Sequence, residues 1–283
     1  IRDTSVTGVQ TCALPICFKI AGGQIDPTTL IARDGRWHLD MEELLAKLTD
    51  KTKALLINSP NNPTGWVCSA EEQKIILDHC RKQGIWIVSD DVYARLYQHG
   101  SLAPGFQHLA NADDLLISIN SFSKAWSMTG WRLGWITAPA ALEKTFAHLT
   151  EFNIACPAGF IQEAGLAMIE QGEGEVSLLQ HRLSKALTLT RNRLKQLAGV
   201  SFIEPDGAFY CFFSVRGLTD SLAFAHAILE QTKVGLAPGL AFGPAGGGYL
   251  RLCYAQDEQL LNKAFDRLDQ GFNAVRRSLL EDN

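Results

Sequence analysis

Polar residues able to bind or react follow three of the chain's short apolar runs. After Ala54–Ile57 stands Asn58-Ser59-Pro60-Asn61-Asn62-Pro63-Thr64-Gly65; after Ile85–Val88 stands Ser89-Asp90-Asp91-Val92-Tyr93; after Leu115–Ile119 stands Asn120-Ser121-Phe122-Ser123-Lys124. In an open α/β sheet the ligand sits outside the carboxyl ends of the strands. If the three runs are neighbouring strands, an amide, a carboxylate, a phenol and an amine meet in one crevice. Further along, Tyr249-Leu250-Arg251-Leu252 places a guanidinium between apolar neighbours. Such an arginine is costly unless an anion or an internal carboxylate meets it.

The elements that must position these groups are readable from periodicity. Asp40 stands as a cap with Glu43 three residues later, and Met41, Leu44, Leu45 and Leu48 fall on one helical face. Ser69 and Glu72 form a second capping-box pattern, in a helix that Gly84 would close. Leu133–Thr137 adds a fourth apolar run. Short, continuously apolar strands alternating with helices predict a mostly parallel α/β sheet flanked by helices. From about Glu175 to Ala198 a long polar-faced helix is expected to bridge to a second unit. There Val200–Ile203, Phe209–Val215 and Tyr249–Cys253 read as strands, Leu222–Gln231 as a helix, and Leu261, Ala264, Phe265, Leu268 and Phe272 as one face of a last helix. This predicts a smaller C-terminal α+β domain.

The composition excludes several function classes. With 26 basic and 30 acidic residues the formal charge is −4 without a long single-sign block, so neither nucleic acid nor an anionic membrane is an expected partner. No apolar stretch approaches the roughly 18 residues that cross a bilayer. Seven scattered cysteines without a C-x-x-C pair argue against a disulfide framework and against a metal site, and a reducing cytoplasm is the expected location.

Two motifs invite other chemistry and fail. Ser121-Phe122-Ser123-Lys124 spells the S-x-x-K of acyl-serine enzymes, but that reading needs S-D-N and then K-T-G downstream. Here Ser89-Asp90-Asp91 lies upstream and no K-T-G exists. Gly243–Gly248 resembles a phosphate loop but lacks the G-K-[ST] ending, and is expected to be a turn leading into the Arg251 strand.

Taken together and in order, SPNNPTG, SDDVY, SFSKAWSMTGWRLG and YLRL resemble the fold-type I pyridoxal-phosphate enzymes, specifically the class I/II aminotransferases related to aspartate aminotransferase. The resemblance runs from Phe18 to the C-terminus, with Asp91 where the family usually has Glu. It implies pyridoxal 5'-phosphate as cofactor and an amino acid and a 2-oxo acid as substrates. Lys124 is then the Schiff-base lysine, and Asp90 the carboxylate facing the pyridine nitrogen. Tyr93 and Asn62 bind the 3-oxygen, Ser121, Ser123 and Arg132 grip the phosphate, and Arg251 meets the substrate α-carboxylate with Asn62 beside it. A cis bond between Asn62 and Pro63 is expected, as is a homodimer. The same site supports β-lyases and synthases, and aminotransferase-like sensor domains of transcription regulators share it.

The opening run, IRDTSVTGVQTCALPI, shows neither helical nor strand periodicity and resembles a translated sequencing adapter. Residues 1–17 are therefore set apart as non-native, with 1–16 expected to pack on nothing. Residues 18–172 are read as a partial large cofactor-binding domain and 173–283 as linker helix and small domain. The family's glycine-rich phosphate loop, ring-stacking aromatic and partner-subunit tyrosine would precede Phe18, so the chain is expected to be an N-terminally truncated fragment with little turnover.

Overall fold

Backbone pairing sorts the chain into two main sheets, each with its own core, and a separate two-stranded hairpin. The computed structural model describes residues 4–8 and 14–280. The first part comprises β1 (Thr4–Gly8), α1 (Leu14–Ile20), β2 (Gln24–Thr28), a small hairpin of β3 (Ile31–Arg33) and β4 (Arg36–His38), α2 (Met41–Lys47) and β5 (Thr52–Asn58). It continues with α3 (Ala70–Gln83), β6 (Trp86–Asp90), β7 (Leu116–Ser121), α4 (Phe122–Ala125), β8 (Gly134–Thr137), α5 (Glu143–Ile154) and α6 (Gly159–Gln171). Six strands form one sheet in the order β2-β1-β5-β6-β7-β8. All neighbours run parallel except β8, which returns antiparallel along β7. The mostly parallel sheet expected from the apolar runs is therefore present.

Local chemistry explains where the helices begin and end. Glu43 N donates to Asp40 Oδ1 at 2.9 Å at the start of α2. Ser69 and Glu72 complete a capping box on α3, and Gly84 ends that helix in the left-handed region at φ 65°. Leu44, Leu55, Ile57, Ile76, Leu77 and Ile87 from α2, β5, α3 and β6, with Ile85 just before β6, form one core against the sheet. Each such side chain contributes about 1.5–3 kcal/mol on burial.

The second part is α7 (Glu173–Leu194), β9 (Val200–Phe202), β10 (Tyr210–Val215), α8 (Ser221–Thr232), β11 (Ala237–Pro238), β12 (Tyr249–Cys253) and α9 (Glu258–Leu280). Its antiparallel sheet runs β11-β12-β10-β9. Leu183, Leu187, Phe213, Phe224, Leu250, Phe265, Leu268 and Phe272 fill its core. Tyr93 and Leu96, from the segment after β6, join this second core rather than the first.

The opening segment corrects one expectation. Residues 1–16 were expected to pack on nothing, yet Thr4–Gly8 form β1 between β2 and β5, with Thr4 paired to both Gln24 and Thr52 and Thr7 to both Pro27 and Leu56. Absence of alternation was a poor guide, because an interior parallel strand needs none and Thr4, Val6 and Thr7 are β-branched strand formers. The proposed boundary after residue 17 also cuts through α1. Residues 1–3 and 9–13 lie outside the described residues, as do the side chains of Val6, Leu14 and Ile16.

Candidate active site

The site begins with the turn after β5. Asn58 Nδ2 donates to Asp90 O at 3.0 Å, tying the ends of β5 and β6 together, and Asn58 Oδ1 accepts from Asn62 N at 2.8 Å. Asn61 Oδ1 accepts from both Thr64 N at 3.1 Å and Thr64 Oγ1 at 2.8 Å. The Asn62–Pro63 bond is cis, as expected, and Ser59–Pro60 is cis too. Gly65 closes the turn at φ 73°. Its carbonyl accepts from Asp206 N at 3.1 Å and Gly207 N at 3.0 Å, hooking the turn to the loop before β10. A Cβ on Gly65 would lie 2.2 Å from Pro205 Cβ, so this approach requires glycine.

At the end of β6 stand two buried carboxylates with different partners. Asp91 accepts from Ser89 Oγ at 2.6 Å and from Ser118 Oγ, so it ties β6 to β7. Among the described residues the Asp90 carboxylate accepts only from Val92 N, at 3.3 Å. Burial pushes the Asp90 carboxyl up to about 6; the Val92 N–H works against this, Asp91 adds to it, and Lys124 draws it back. A buried acid so thinly bonded is suited to a cationic or N–H partner. Tyr93 is buried, its hydroxyl 3.0 Å from that of Tyr210. Burial first, then Tyr210 and Asp90, push its phenol far above its ordinary range, so it stays protonated.

Lys124 lies in the single turn α4, capped by Ser121, whose Oγ accepts from Ser123 N at 3.0 Å and donates to Leu133 O at 3.3 Å. Lys124 Nζ sits 5.8 Å from the centre of the Tyr93 ring. Arg132 is less closely gathered. The Ser121↔Gly134 pairing brings its backbone near α4, but its side chain is exposed and donates to Thr129 O at 2.9 Å.

The second sheet supplies the guanidinium. Arg251 Nη1 donates to Asn62 Oδ1 at 2.6 Å. Its Cζ lies 4.2 Å from the Tyr210 ring centre and 4.7 Å from that of Phe242. Its Nε is buried without a hydrogen-bond partner, and among the described residues it forms no ion pair with a carboxylate. Tyr210 and Phe242 were missed from the sequence. For Tyr210 the signal lies in strand register: Phe212 pairs with Arg251, so Tyr210, two residues earlier, faces the same side.

Fold and site together define an α/β protein in which a lysine, an acid and a phenol at parallel strand ends meet an arginine that comes from a second, antiparallel sheet and has no carboxylate partner among the described residues. The chain matches the model of the family Aminotransferase class I and II over residues 13–268 and belongs to that family. Residues 13–17 therefore fall inside the matched region rather than outside it. An aspartate aminotransferase of Pyrococcus abyssi and aromatic-amino-acid aminotransferase 2 of Thermococcus litoralis are each 34% identical over 241 residues, covering 84% of this chain and 61% of the relative. The crystal structure of an aspartate aminotransferase from Thermotoga maritima superposes with a TM-score of 0.86 at 32% identity, over 96% of this chain and 70% of that one. An aromatic aminotransferase structure from Pyrococcus horikoshii gives 0.87 at 31%, over 97% and 74%. The chain spans about three-fifths of the length of the curated relatives it matches.

Proposed function

We propose that this chain carries the reaction centre of a pyridoxal-phosphate-dependent aminotransferase that moves an amino group between an amino acid and a 2-oxo acid. The observation that carries the reading is Arg251: a partly buried guanidinium without a carboxylate partner, one hydrogen bond through Asn62 from the strand ends that hold Lys124 and Asp90. The family membership agrees with it.

The residues present fit the cofactor. The thinly bonded Asp90 suits a protonated ring nitrogen, the Lys124 amine an aldehyde, and Tyr93 and Asn62 a ring oxygen. Ser123 and Arg132 offer donors to a phosphate, and Ser121 joins them by giving up its long bond to Leu133 O. Bound there, pyridoxal phosphate supplies an electron-poor ring that draws electrons from the substrate's α-carbon. Asp90 keeps the ring nitrogen protonated through its negative charge. Tyr93, held protonated by burial, donates to the ring oxygen. Arg251 takes the α-carboxylate in its planar fork and so orients the α-hydrogen, which Lys124 is placed to remove and return.

The domain division proposed lies between residues 172 and 173, the cofactor-binding part before it taking in β1 and α1, and 173–283 forming the linker helix and small part. A homodimer is proposed too, since α5 and α6 expose Phe152 and Phe160 at 86% and 72%. Cytoplasmic location is supported by free thiols at all six described cysteines. Among the described residues no helix is long and apolar enough to cross a membrane. The test is a panel of amino donors and 2-oxo acceptors on the cofactor-loaded protein, starting with aspartate and the aromatic amino acids for which the relatives are named. Amino transfer that depends on the 2-oxo acid is expected. Breakdown of the donor without an acceptor would instead assign a lyase.

A further inference from the structure

We infer that Tyr210 is a positioning residue serving both halves of the site at once, its hydroxyl setting Tyr93 and its ring setting Arg251. This rests on the aminotransferase reading above. Tyr93 follows β6 and Tyr210 opens β10, so their 3.0 Å contact crosses from one domain to the other. Among the described residues, Tyr210 is the hydrogen-bond partner of the Tyr93 hydroxyl. A phenol has one hydrogen to give. When Tyr93 gives its own to a bound ligand, it can only accept from Tyr210, and an accepted hydrogen bond makes Tyr93 the stronger donor. Both rings are buried and meet edge to face at 80° with centres 5.9 Å apart, which fixes the pair.

The ring of Tyr210 does separate work. It covers one face of the Arg251 guanidinium at 4.2 Å, and Phe242 covers another approach at 4.7 Å. Nη1 is spent on Asn62 while Nε has no partner. With aromatic rings against the guanidinium, an incoming carboxylate is directed to the in-plane N–H edge, where bidentate pairing is made. A phenylalanine at this position would keep the second task and lose the first. A leucine would lose both.

That difference is the test. The protein is loaded with pyridoxal phosphate, the visible absorbance of the bound cofactor is followed against pH, and 2-oxoglutarate binding is measured by calorimetry. Tyr210→Phe is expected to raise the spectroscopic midpoint by about half a pH unit, because a weaker Tyr93 donor stabilises the cofactor's oxygen anion less. Its 2-oxoglutarate affinity should stay within about twofold of the wild type. Tyr210→Leu should show the same midpoint shift and bind 2-oxoglutarate about tenfold more weakly. An unchanged midpoint in Tyr210→Phe overturns the inference. So does a Tyr210→Leu affinity equal to that of Tyr210→Phe, or a Tyr210→Phe variant that loses both readouts together. If the wild type acquires no lysine-bound cofactor absorbance at all, the aminotransferase reading fails and this inference with it; a normal wild type with silent variants sinks the inference alone.

Discussion

Lys124 and Asp90 allow the sharpest tests at the scale of single residues. Treated with pyridoxal phosphate and borohydride, the protein should carry a pyridoxyl group on Lys124, and Lys124→Ala should carry none there; a peptide map placing the label on another lysine would remove Lys124 from the mechanism. For Asp90, burial holds the carboxyl at about 6 in the folded protein against an ordinary value of 3.8. Between those values the folded chain binds a proton that the unfolded chain has released, so stability falls as pH rises through this window, and the full penalty stands above about 6. Asp90→Asn lacks the charge. In cofactor-free protein it should therefore be more stable than the wild type by roughly 3 kcal/mol at pH 7, with that gain vanishing near pH 4, while amino transfer is lost. Denaturant titrations at the two pH values decide it, and a gain no larger at pH 7 than at pH 4 would contradict the account. Arg251 stood out in the sequence as a charge between apolar strand neighbours, and the structure sets it against Asn62 and two aromatic rings. Tyr210 and Phe242 did not, because the one depends on which strand lies beside β12 and the other on how the turn before β12 folds back.

Among the elements, what was legible was local. The Asp40 cap, the Ser69–Glu72 capping box, Gly84 and the apolar cores of β5, β6 and β7 follow from residues a few positions apart, and the structure has them. Ser69→Ala should lower stability by about 1 kcal/mol in a denaturant titration. What local pattern missed was β1, whose place is set by pairing on both edges, and the hook between Gly65 and Gly207, which joins segments far apart in the chain. Gly65 and Gly84 separate two kinds of glycine requirement. Both have positive φ, but a Cβ on Gly84 meets nothing within 4 Å, whereas on Gly65 it meets Pro205 Cβ at 2.2 Å and two backbone atoms at 2.9 Å. Gly84→Ala should cost about 1 kcal/mol and Gly65→Ala about 3 kcal/mol or more, compared by thermal unfolding. Equal losses would mean that the hook yields and that backbone conformation alone matters.

The molecule as a whole presents an apolar side. β8 pairs only with β7 among the described strands, and Trp135 and Ile136 on it are exposed. Leu149, Phe152 and Ile154 on α5 and Phe160, Leu166 and Ile169 on α6 are exposed as well. A surface of this kind associates. Light scattering of the 283-residue chain should show mass rising with concentration, and Phe152→Glu combined with Phe160→Glu should reduce it; scattering unchanged by the pair would place the contact elsewhere. The change from a mostly parallel to an antiparallel sheet was legible from the change of rhythm along the chain. This exposed side was not, because an amphipathic helix reads the same whether its apolar face is covered or bare.

The hook at Gly207 also makes the chain count. Gly207 is pinned to the turn after β5, and β10 starts at Tyr210. Side chains on a strand alternate, so a slip of one position reverses every face. One residue inserted after Ala208 would turn Tyr210 and Phe212 away from Arg251 and bring their neighbours round instead, whereas two would restore the facing at a displaced register. The loop thus has a parity as well as a length, and an odd insertion there should damage the site more than an even, longer one.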